Sequence, residues 1–376
     1  MILILKPELT CEETQSLEKL AASSGRDFVF EPEKGRLRFL LEAPDPDLQS
    51  RAKLWPGVEG VHSTQEAFPL CKAKEEGVWI SGKGPRASLF FGKGHLQWIA
   101  GPCSVEGTDR LRRIARAVRD AGATMLRGGA FKPRSSPYSF QGMGEEGLRV
   151  LGEIADEVRL PLVTEVMDPR QVGRVCEVAD MLQIGSRSMQ NFPLLTEVAR
   201  SGAAVLLKRG GAASVDEFLG AVEYLFAAGS TQVVLCERGV RSFDPSRRNL
   251  LDLSIVPLLQ ERYSLPILVD PSHATGRRSL VAPMAKAAVA SGADGVMVEV
   301  HDAPAEALSD AAQALKLHDL PRLGASLRLL AQVEGRKLGG SAEAGASPPA
   351  QEASSSRPTQ AREDAFSFAD PSRGPA

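Results

Sequence analysis

From Gln97 onward the chain repeats one pattern: a short apolar run, a polar cluster, then a helical segment. The apolar runs cover residues 98–100, 124–126, 161–164, 180–184, 203–207, 232–235, 266–269 and 295–298, eight in all. Runs of three to five apolar residues with polar flanks suit strands buried on both faces, as in a parallel sheet. Segments 109–121, 145–158, 192–201, 215–228 and 280–290 have helical length and patterning between them. Eight β/α units in the stretch 97–338 predict an α/β chain folded as a (β/α)₈ (TIM) barrel. A doubly wound open sheet also alternates strand and helix. Eight units of similar size favour closure, and no Gly-x-Gly-x-x-Gly follows the first run.

The flanking segments differ in character. Residues 1–70 read as strands at 2–5, 27–31, 37–41 and 57–62, with helices opening at Thr10 and Asp45. This is a small βαββαβ, ferredoxin-like order, found in amino-acid-sensing regulatory domains and also as a generic adaptor. Residues 71–96 are a connector in which 78–80 and 89–91 are expected to pair as a hairpin across Ser81-Gly82-Lys83-Gly84-Pro85. Residues 339–376 are rich in Gly, Ala, Ser and Pro and are expected to be a disordered tail. Only Phe366 and Phe368 there offer a partner an anchor.

Charge and cysteine usage narrow the function classes. Lys and Arg number 45 against 47 Asp and Glu, so a basic nucleic-acid-binding balance is excluded and any cationic site is local. The apolar start is only five residues long before Lys6-Pro7, too short for a signal peptide, and no stretch reaches membrane-spanning length. Five scattered cysteines without zinc-finger or redox spacing fit a reduced, cytoplasmic protein.

In a (β/α)₈ barrel the active site lies at the C-terminal ends of the strands. Chemistry-bearing residues collect there after run upon run. Gly101-Pro102-Cys103-Ser104 follow the first and Arg127 the second; Glu165 follows the third and Gly185-Ser186-Arg187 the fourth. Lys208-Arg209-Gly210, Cys236-Glu237-Arg238-Gly239, Asp270-Pro271-Ser272-His273 and Glu299-Val300-His301 follow the rest. Scattered surface charges would not fall at one end of every strand.

The loop after the second run, from Leu126 to Gly142, holds Arg127, Lys132, Arg134, Ser135, Ser136 and Ser139 among glycine and proline breakers. Guanidinium, ammonium and hydroxyl groups in fixed corners suit a phosphate or carboxylate; a solvated basic loop is the alternative. Arg187, Lys208 and Arg238 join this cationic group. Six cations at one mouth repel unless an anion fills it, whereas salt bridging to Glu165 and Glu237 is the other outcome. A second group, Cys103, His273, Glu299 and Asp310, offers a thiolate, an imidazole and two carboxylates, a set that suits a divalent transition metal. Cys103 as a plain core thiol, His273 as a general base, and Cys236 and His301 as rival ligands stay open at this point. His301 also suits a supporting place, and Asp270 suits orienting the His273 ring.

Taken together, Ala100-Gly101-Pro102-Cys103-Ser104-Val105-Glu106-Gly107, the 126–142 loop, Ile184-Gly185-Ser186-Arg187, Met189-Gln190-Asn191-Phe192, Leu207-Lys208-Arg209-Gly210, Cys236-Glu237-Arg238-Gly239, Asp270-Pro271-Ser272-His273 and Val298-Glu299-Val300-His301 resemble one family. It is the class I beta branch of 3-deoxy-D-arabino-heptulosonate 7-phosphate (DAHP) synthases, which shares its core with 3-deoxy-D-manno-octulosonate 8-phosphate (KDO8P) synthases. The resemblance runs from about 97 to 315. It implies condensation of phosphoenolpyruvate with D-erythrose 4-phosphate, releasing phosphate, with one divalent metal ion (Mn, Fe, Co or Zn).

Carried over by position, it implies phosphoenolpyruvate held by Arg127, Lys132, Arg187, Lys208 and Arg238. It places the aldose phosphate at Arg134 and Ser135, and the metal on Cys103, His273, Glu299 and Asp310. Lys132 is the implied proton donor and Glu165 helps place water. A homotetramer and an aromatic amino acid effector on the first domain are further implications. Two departures stand out: Ser135 replaces a frequent Thr, and the tail has no counterpart. KDO8P synthases typically read Lys-Ala-Asn-Arg-Ser where this chain reads Lys132-Pro133-Arg134-Ser135-Ser136, so Arg134 points to the shorter aldose. A non-catalytic amino-acid sensor is a rival of another class, which would not need all four metal ligands.

Overall fold

The computed structural model describes residues 2–6, 9–13, 15, 16, 19, 38–40, 52–62, 67–72, 77–132, 136 and 138–339. Strands β1 (Ile2–Leu5), β2 (Arg38–Leu40) and β3 (Val58–His62) form an antiparallel sheet in the order β2-β1-β3. A reciprocal cap opens the first helix. Glu13 N donates to Thr10 Oγ1 at 3.2 Å, and Thr10 N donates to Glu13 Oε2 at 2.8 Å. The expected strand at 27–31, most of both expected helices and the tail beyond Gly339 lie outside the described residues.

The connector forms the expected hairpin, β4 (Val78–Ile80) with β5 (Leu89–Phe91). Eight parallel strands then follow: β6 (His95–Gly101), β7 (Met125–Arg127), β8 (Leu162–Glu165), β9 (Met181–Ile184), β10 (Ala204–Lys208), β11 (Val233–Glu237), β12 (Ile267–Val269) and β13 (Gly295–His301). Each pairs with the next, and β13 pairs back with β6 from Gly295↔Gln97 to Glu299↔Gly101. A sheet whose first and last strands pair has no edge, which rules out the open doubly wound alternative. Two short strands extend it: β14 (Leu315–Lys316) at the far end of β13, and β15 (Lys337–Leu338) beside the start of β6.

Alternation along the strands separates two apolar layers. Trp98, Leu126, Leu162, Leu182, Val205, Val233, Ile267 and Val296 face the surrounding helices. Their neighbours Ile99, Met125, Val163, Met181, Leu206, Val234, Leu268 and Met297 form a second cluster inside the barrel. The hairpin residues Val78, Ile80, Leu89 and Phe91 belong to that inner cluster. The hairpin therefore covers the N-terminal end of the barrel, where Gln97 Nε2 donates to Phe90 O at 2.8 Å and Trp79 N to Gln232 Oε1 at 2.9 Å. Only the opposite, C-terminal end is left for a site. Among the described residues no helix is long and apolar enough to cross a membrane.

Arg86 fastens the hairpin loop. Its guanidinium reaches Asp156 Oδ1 at 2.7 Å, Asp180 Oδ2 at 2.9 Å, Val178 O at 2.7 Å and Gly152 O at 3.1 Å. Asp180 Oδ1 also accepts from Lys83 N at 2.7 Å, and its Oδ2 from Leu162 N at 2.7 Å. Both side chains of the Arg86–Asp180 pair are buried, so removing one leaves the other uncompensated. Arg86→Ala is expected to cost about 3 kcal/mol of stability. Urea unfolding reads this directly, and an unchanged midpoint would contradict it.

Candidate active site and metal centre

The two-residue period that builds the inner apolar layer also builds the site above it. One step past Met125, Val163, Leu206, Cys236, Leu268 and Met297 stand Arg127, Glu165, Lys208, Arg238, Asp270 and Glu299. Residues of the other parity face outward. Glu237, the alternative salt-bridge partner for the mouth's cations, pairs with Arg209 NH1 at 3.0 Å, and Arg209 also reaches Asp252 at 3.1 Å. That pair lies on the helix side of the sheet.

Cys103, His273, Glu299 and Asp310 converge from four segments, with one ligand atom of each within 4.8 Å of the others. Gly101 makes the first approach possible. Its φ is 154°, and a Cβ there would stand 2.0 Å from Arg127 O, so only glycine lets the chain turn across β7 to present Cys103. Cys103 Sγ donates to Asp310 Oδ2 at 3.1 Å. His273 rides on the short helix Pro271–Thr275, whose N-cap is Asp270. Asp270 Oδ1 accepts from His273 N at 3.0 Å, and Oδ2 meets His273 Nδ1 at 2.8 Å. With the proton on Nδ1, the Nε2 lone pair faces the cluster, 3.5 Å from Glu299 Oε2 and 3.9 Å from Asp310 Oδ2. Lys208 Nζ closes the support at 2.6 Å from Asp270 Oδ2.

Burial and neighbouring charge set the protonation of these groups. Burial pushes His273 down to about 4, against the pull of Asp270, so the ring is neutral near pH 7. Burial pushes Glu299 up to about 8, opposed by Arg127. It also raises the Cys103 thiol, and Glu299 adds to that rise. For Asp310 burial acts the same way, but the His273 ring, the Cys103 thiol and Arg248 overcome it and hold the carboxyl well below its usual range. Asp270, likewise buried, is kept ionised by His273 and Lys208. A neutral imidazole, a thiol and two carboxyls converging on one point fit a divalent transition metal. An all-oxygen preference of the Mg or Ca kind would make no use of the sulfur.

The cationic side adjoins this cluster. Lys132 Nζ lies 3.0 Å from both Cys103 O and Cys103 Sγ. Burial pulls its pKa down, but Cys103 and Glu165 push it above the usual lysine value, so it stays protonated. Arg127 is buried; its NH1 has no hydrogen-bond partner among the described residues and lies 3.9 Å from Glu299 Oε2. A buried donor left open in this way suits an incoming anion. Lys208 is spoken for by Asp270, so the surplus of cations is smaller than their number suggests. Arg187 follows β9 in a 3₁₀ turn and Arg238 follows β11. Arg134 and Ser135 lie outside the described residues.

The rivals left open by the sequence have other places. Cys236 is in the inner apolar layer with Val234 and Leu268. His301 is buried and meets Glu106 Oε2 at 3.1 Å, while Glu106 Oε1 accepts from Leu308 N at 2.9 Å. His301 thus helps tie the Cys103 loop to the segment leading to Asp310. Gln313 and Arg248, which reach Glu299 and Asp310 respectively, carried no signal in the sequence.

Metal binding at this site is expected to displace protons from Cys103 and Glu299, but none from His273. Apparent affinity for a divalent ion should therefore rise with pH from about 6 to about 8. Calorimetry in two buffers of different ionisation enthalpy measures the release; pH-independent affinity over that range would overturn the assignment. Cys103→Ala should lose metal binding while keeping the fold.

Comparison with known proteins identifies the family of the chain. The sequence profile of the DAHP synthetase I family matches residues 73–332. A phospho-2-dehydro-3-deoxyheptonate aldolase of Thermotoga maritima is 40% identical over 344 residues, covering 90% of this chain and 100% of that protein. The crystal structure of a Thermotoga maritima DAHP synthase superposes with a TM-score of 0.70 at 39% identity, covering 90% of this chain and 98% of that one. A 2-dehydro-3-deoxyphosphooctonate aldolase of Geobacter metallireducens is more distant, at 32% over 254 residues, covering 62% of this chain and 92% of that protein. The chain belongs to the DAHP synthetase I family.

Proposed function

We propose that the chain condenses phosphoenolpyruvate with D-erythrose 4-phosphate and water, giving DAHP and inorganic phosphate, the first committed step toward aromatic amino acids. The observation that carries this reading is the divided mouth. Cys103, His273, Glu299 and Asp310 gather at one point, and the buried cations Arg127 and Lys132 stand directly beside them. Two phosphorylated substrates supply the negative charge that such buried cations require. The heptulosonate relative covers 90% of the chain against 62% for the octulosonate relative, which favours the shorter aldose.

In this reading Arg127, Lys132, Arg187, Lys208 and Arg238 bind the carboxylate and phosphate of phosphoenolpyruvate. Arg134 and Ser135 bind the aldose phosphate. Cys103, His273, Glu299 and Asp310 would hold a divalent ion (Mn, Fe, Co or Zn), which would supply Lewis-acid polarisation of the aldehyde oxygen or an activated water. The enol carbon forms the new bond to the aldehyde carbon. Water adds at the neighbouring carbon, and phosphate departs from it. Lys132, held protonated beside Cys103, donates to the oxygen that becomes a hydroxyl. Glu165 places the water. Lys208 serves twice: it faces the substrate and holds Asp270, which holds His273.

Residues 1–70 are proposed to form a ferredoxin-like regulatory domain that binds tyrosine or phenylalanine and inhibits. The enzyme is proposed to be a cytoplasmic homotetramer. The decisive assay is phosphate release from phosphoenolpyruvate with erythrose 4-phosphate or arabinose 5-phosphate as acceptor, with and without chelator. Turnover is expected with the four-carbon acceptor and should stop with chelator; preference for arabinose 5-phosphate would reverse the reading. In the same assay Arg134→Ala should raise KM for erythrose 4-phosphate about 10- to 100-fold, the worth of one charge-assisted contact, and barely change KM for phosphoenolpyruvate. Deleting residues 1–70 should abolish inhibition by the aromatic amino acid, and persistent inhibition would refute the effector site.

A further inference from the structure

The amide of Gln313 stands between a cation and a carboxylate of the metal site. Gln313 is only 2% exposed. Its Oε1 accepts from Arg248 NH1 at 3.1 Å, and its Nε2 donates to Glu299 Oε2 at 2.9 Å. A guanidinium has donors and no acceptor, so the amide oxygen must face Arg248 and the amide N–H must face Glu299. Glu299 Oε2 must then accept; a proton on that oxygen would set donor against donor. The same Arg248 NH1 donates to Asp310 Oδ1 at 3.0 Å. That leaves Asp310 Oδ2 turned toward Cys103 Sγ at 3.1 Å and His273 Nε2 at 3.9 Å. One guanidinium therefore orients two carboxylates, Asp310 directly and Glu299 through Gln313.

The backbone around Arg248 is seated on the helix that carries His273. Asn249 N donates to Ala274 O at 2.8 Å and Asn249 Nδ2 to His273 O at 3.1 Å. The segment between β11 and the helix Ile255–Arg262 thus touches three of the four converging residues, His273, Asp310 and, through Gln313, Glu299.

We propose that Gln313 and Arg248 are positioning residues of the metal centre, holding one oxygen of Glu299 and one of Asp310 as acceptors aimed at Cys103 and His273. This rests on the reading of those four residues as divalent-metal ligands. Partners behind a ligand typically change metal affinity about 10- to 100-fold when removed, because the ligand must then be oriented at the moment of binding.

The test is a Co²⁺ titration of the metal-stripped full-length protein, following thiolate-to-cobalt absorption, beside melting of the metal-free protein. Gln313→Met is expected to weaken Co²⁺ binding about 10-fold with the metal-free Tm unchanged. Arg248→Ala, at a half-exposed position, should weaken it more, since it frees both carboxylates, and Arg248→Lys should restore part of the loss. The double variant should fall short of the product of the two single effects, because Arg248 acts partly through Gln313. Wild-type Co²⁺ affinity in Gln313→Met and Arg248→Ala would overturn the proposal, as would affinity that falls only in step with the metal-free Tm. If the wild-type protein itself fails to bind Co²⁺, the ligand reading falls, and the positioning role with it; unchanged variants beside a binding wild type sink the positioning role alone.

Discussion

A parallel strand repeats its side-chain direction every second residue, and in a closed barrel one of those directions points at the axis. The rest of this structure depends on that constraint. It runs from Ile99, Met125 and Leu268 below to Arg127, Asp270 and Glu299 above, so the apolar layer and the charged layer are successive steps of one register. Because β13 pairs with β6, no strand edge interrupts the ring. The hairpin seals the lower end with Val78, Ile80, Leu89 and Phe91, and Arg86 locks its loop to Asp180. The charged layer inside the barrel is thereby confined to the upper end, where the loops after the strands meet.

Confinement sets the electrostatics. Asp270 has no exposure and stays ionised because Lys208 and His273 touch it. Glu299 is as deeply placed, but its nearest cation, Arg127, is 3.9 Å away and its hydrogen bond comes from neutral Gln313, so burial prevails and its pKa climbs to about 8. Asp310 goes the opposite way, held down by the His273 ring, the Cys103 thiol and Arg248 at 3.0 Å. Two carboxyls of one cluster are thus pushed to opposite sides of neutrality, Glu299 by burial and Asp310 by its partners. Within the same few ångströms Lys132 is kept protonated by Cys103 and Glu165, which places a proton donor against the cluster.

Much of the barrel is legible in the residues because buried parallel strands need unbroken apolar runs, and all eight runs are strands. Their ends were less legible. Lys208, Glu237 and Glu299 end the apolar runs, yet backbone pairing continues through them, since hydrogen bonding in the ladder ignores side-chain polarity. The helix Val172–Val178 has only two buried residues, Val172 and Val175, too few to show a period. For the site, residue chemistry alone left Cys236 as a rival to Cys103 and His301 as a rival to His273. Register and a glycine turn separate them: Cys236 is in the apolar layer, whereas Gly101 swings Cys103 past the end of β6 into the mouth. His301, on β13 like Glu299, is taken up by Glu106.

The sequence by itself determined that there would be eight strand–helix units, that their polar ends would carry cations, carboxylates and a thiol, and which family those motifs resemble. These are properties of composition and order along the chain. Tertiary structure decided which atoms meet. Cys103 and Asp310 are 207 positions apart and touch at 3.1 Å, and Arg248 reaches Asp310 across 62 positions. It also decided that Glu237 faces away from the mouth and that Lys208 is already paired. Contacts of that range follow from ring closure and register, which fix distances between segments that no local spacing relates. Gln313 shows the difference most plainly: an unremarked amide in the sequence, it takes its role only when a guanidinium on one side and a carboxylate on the other fix which way it must turn.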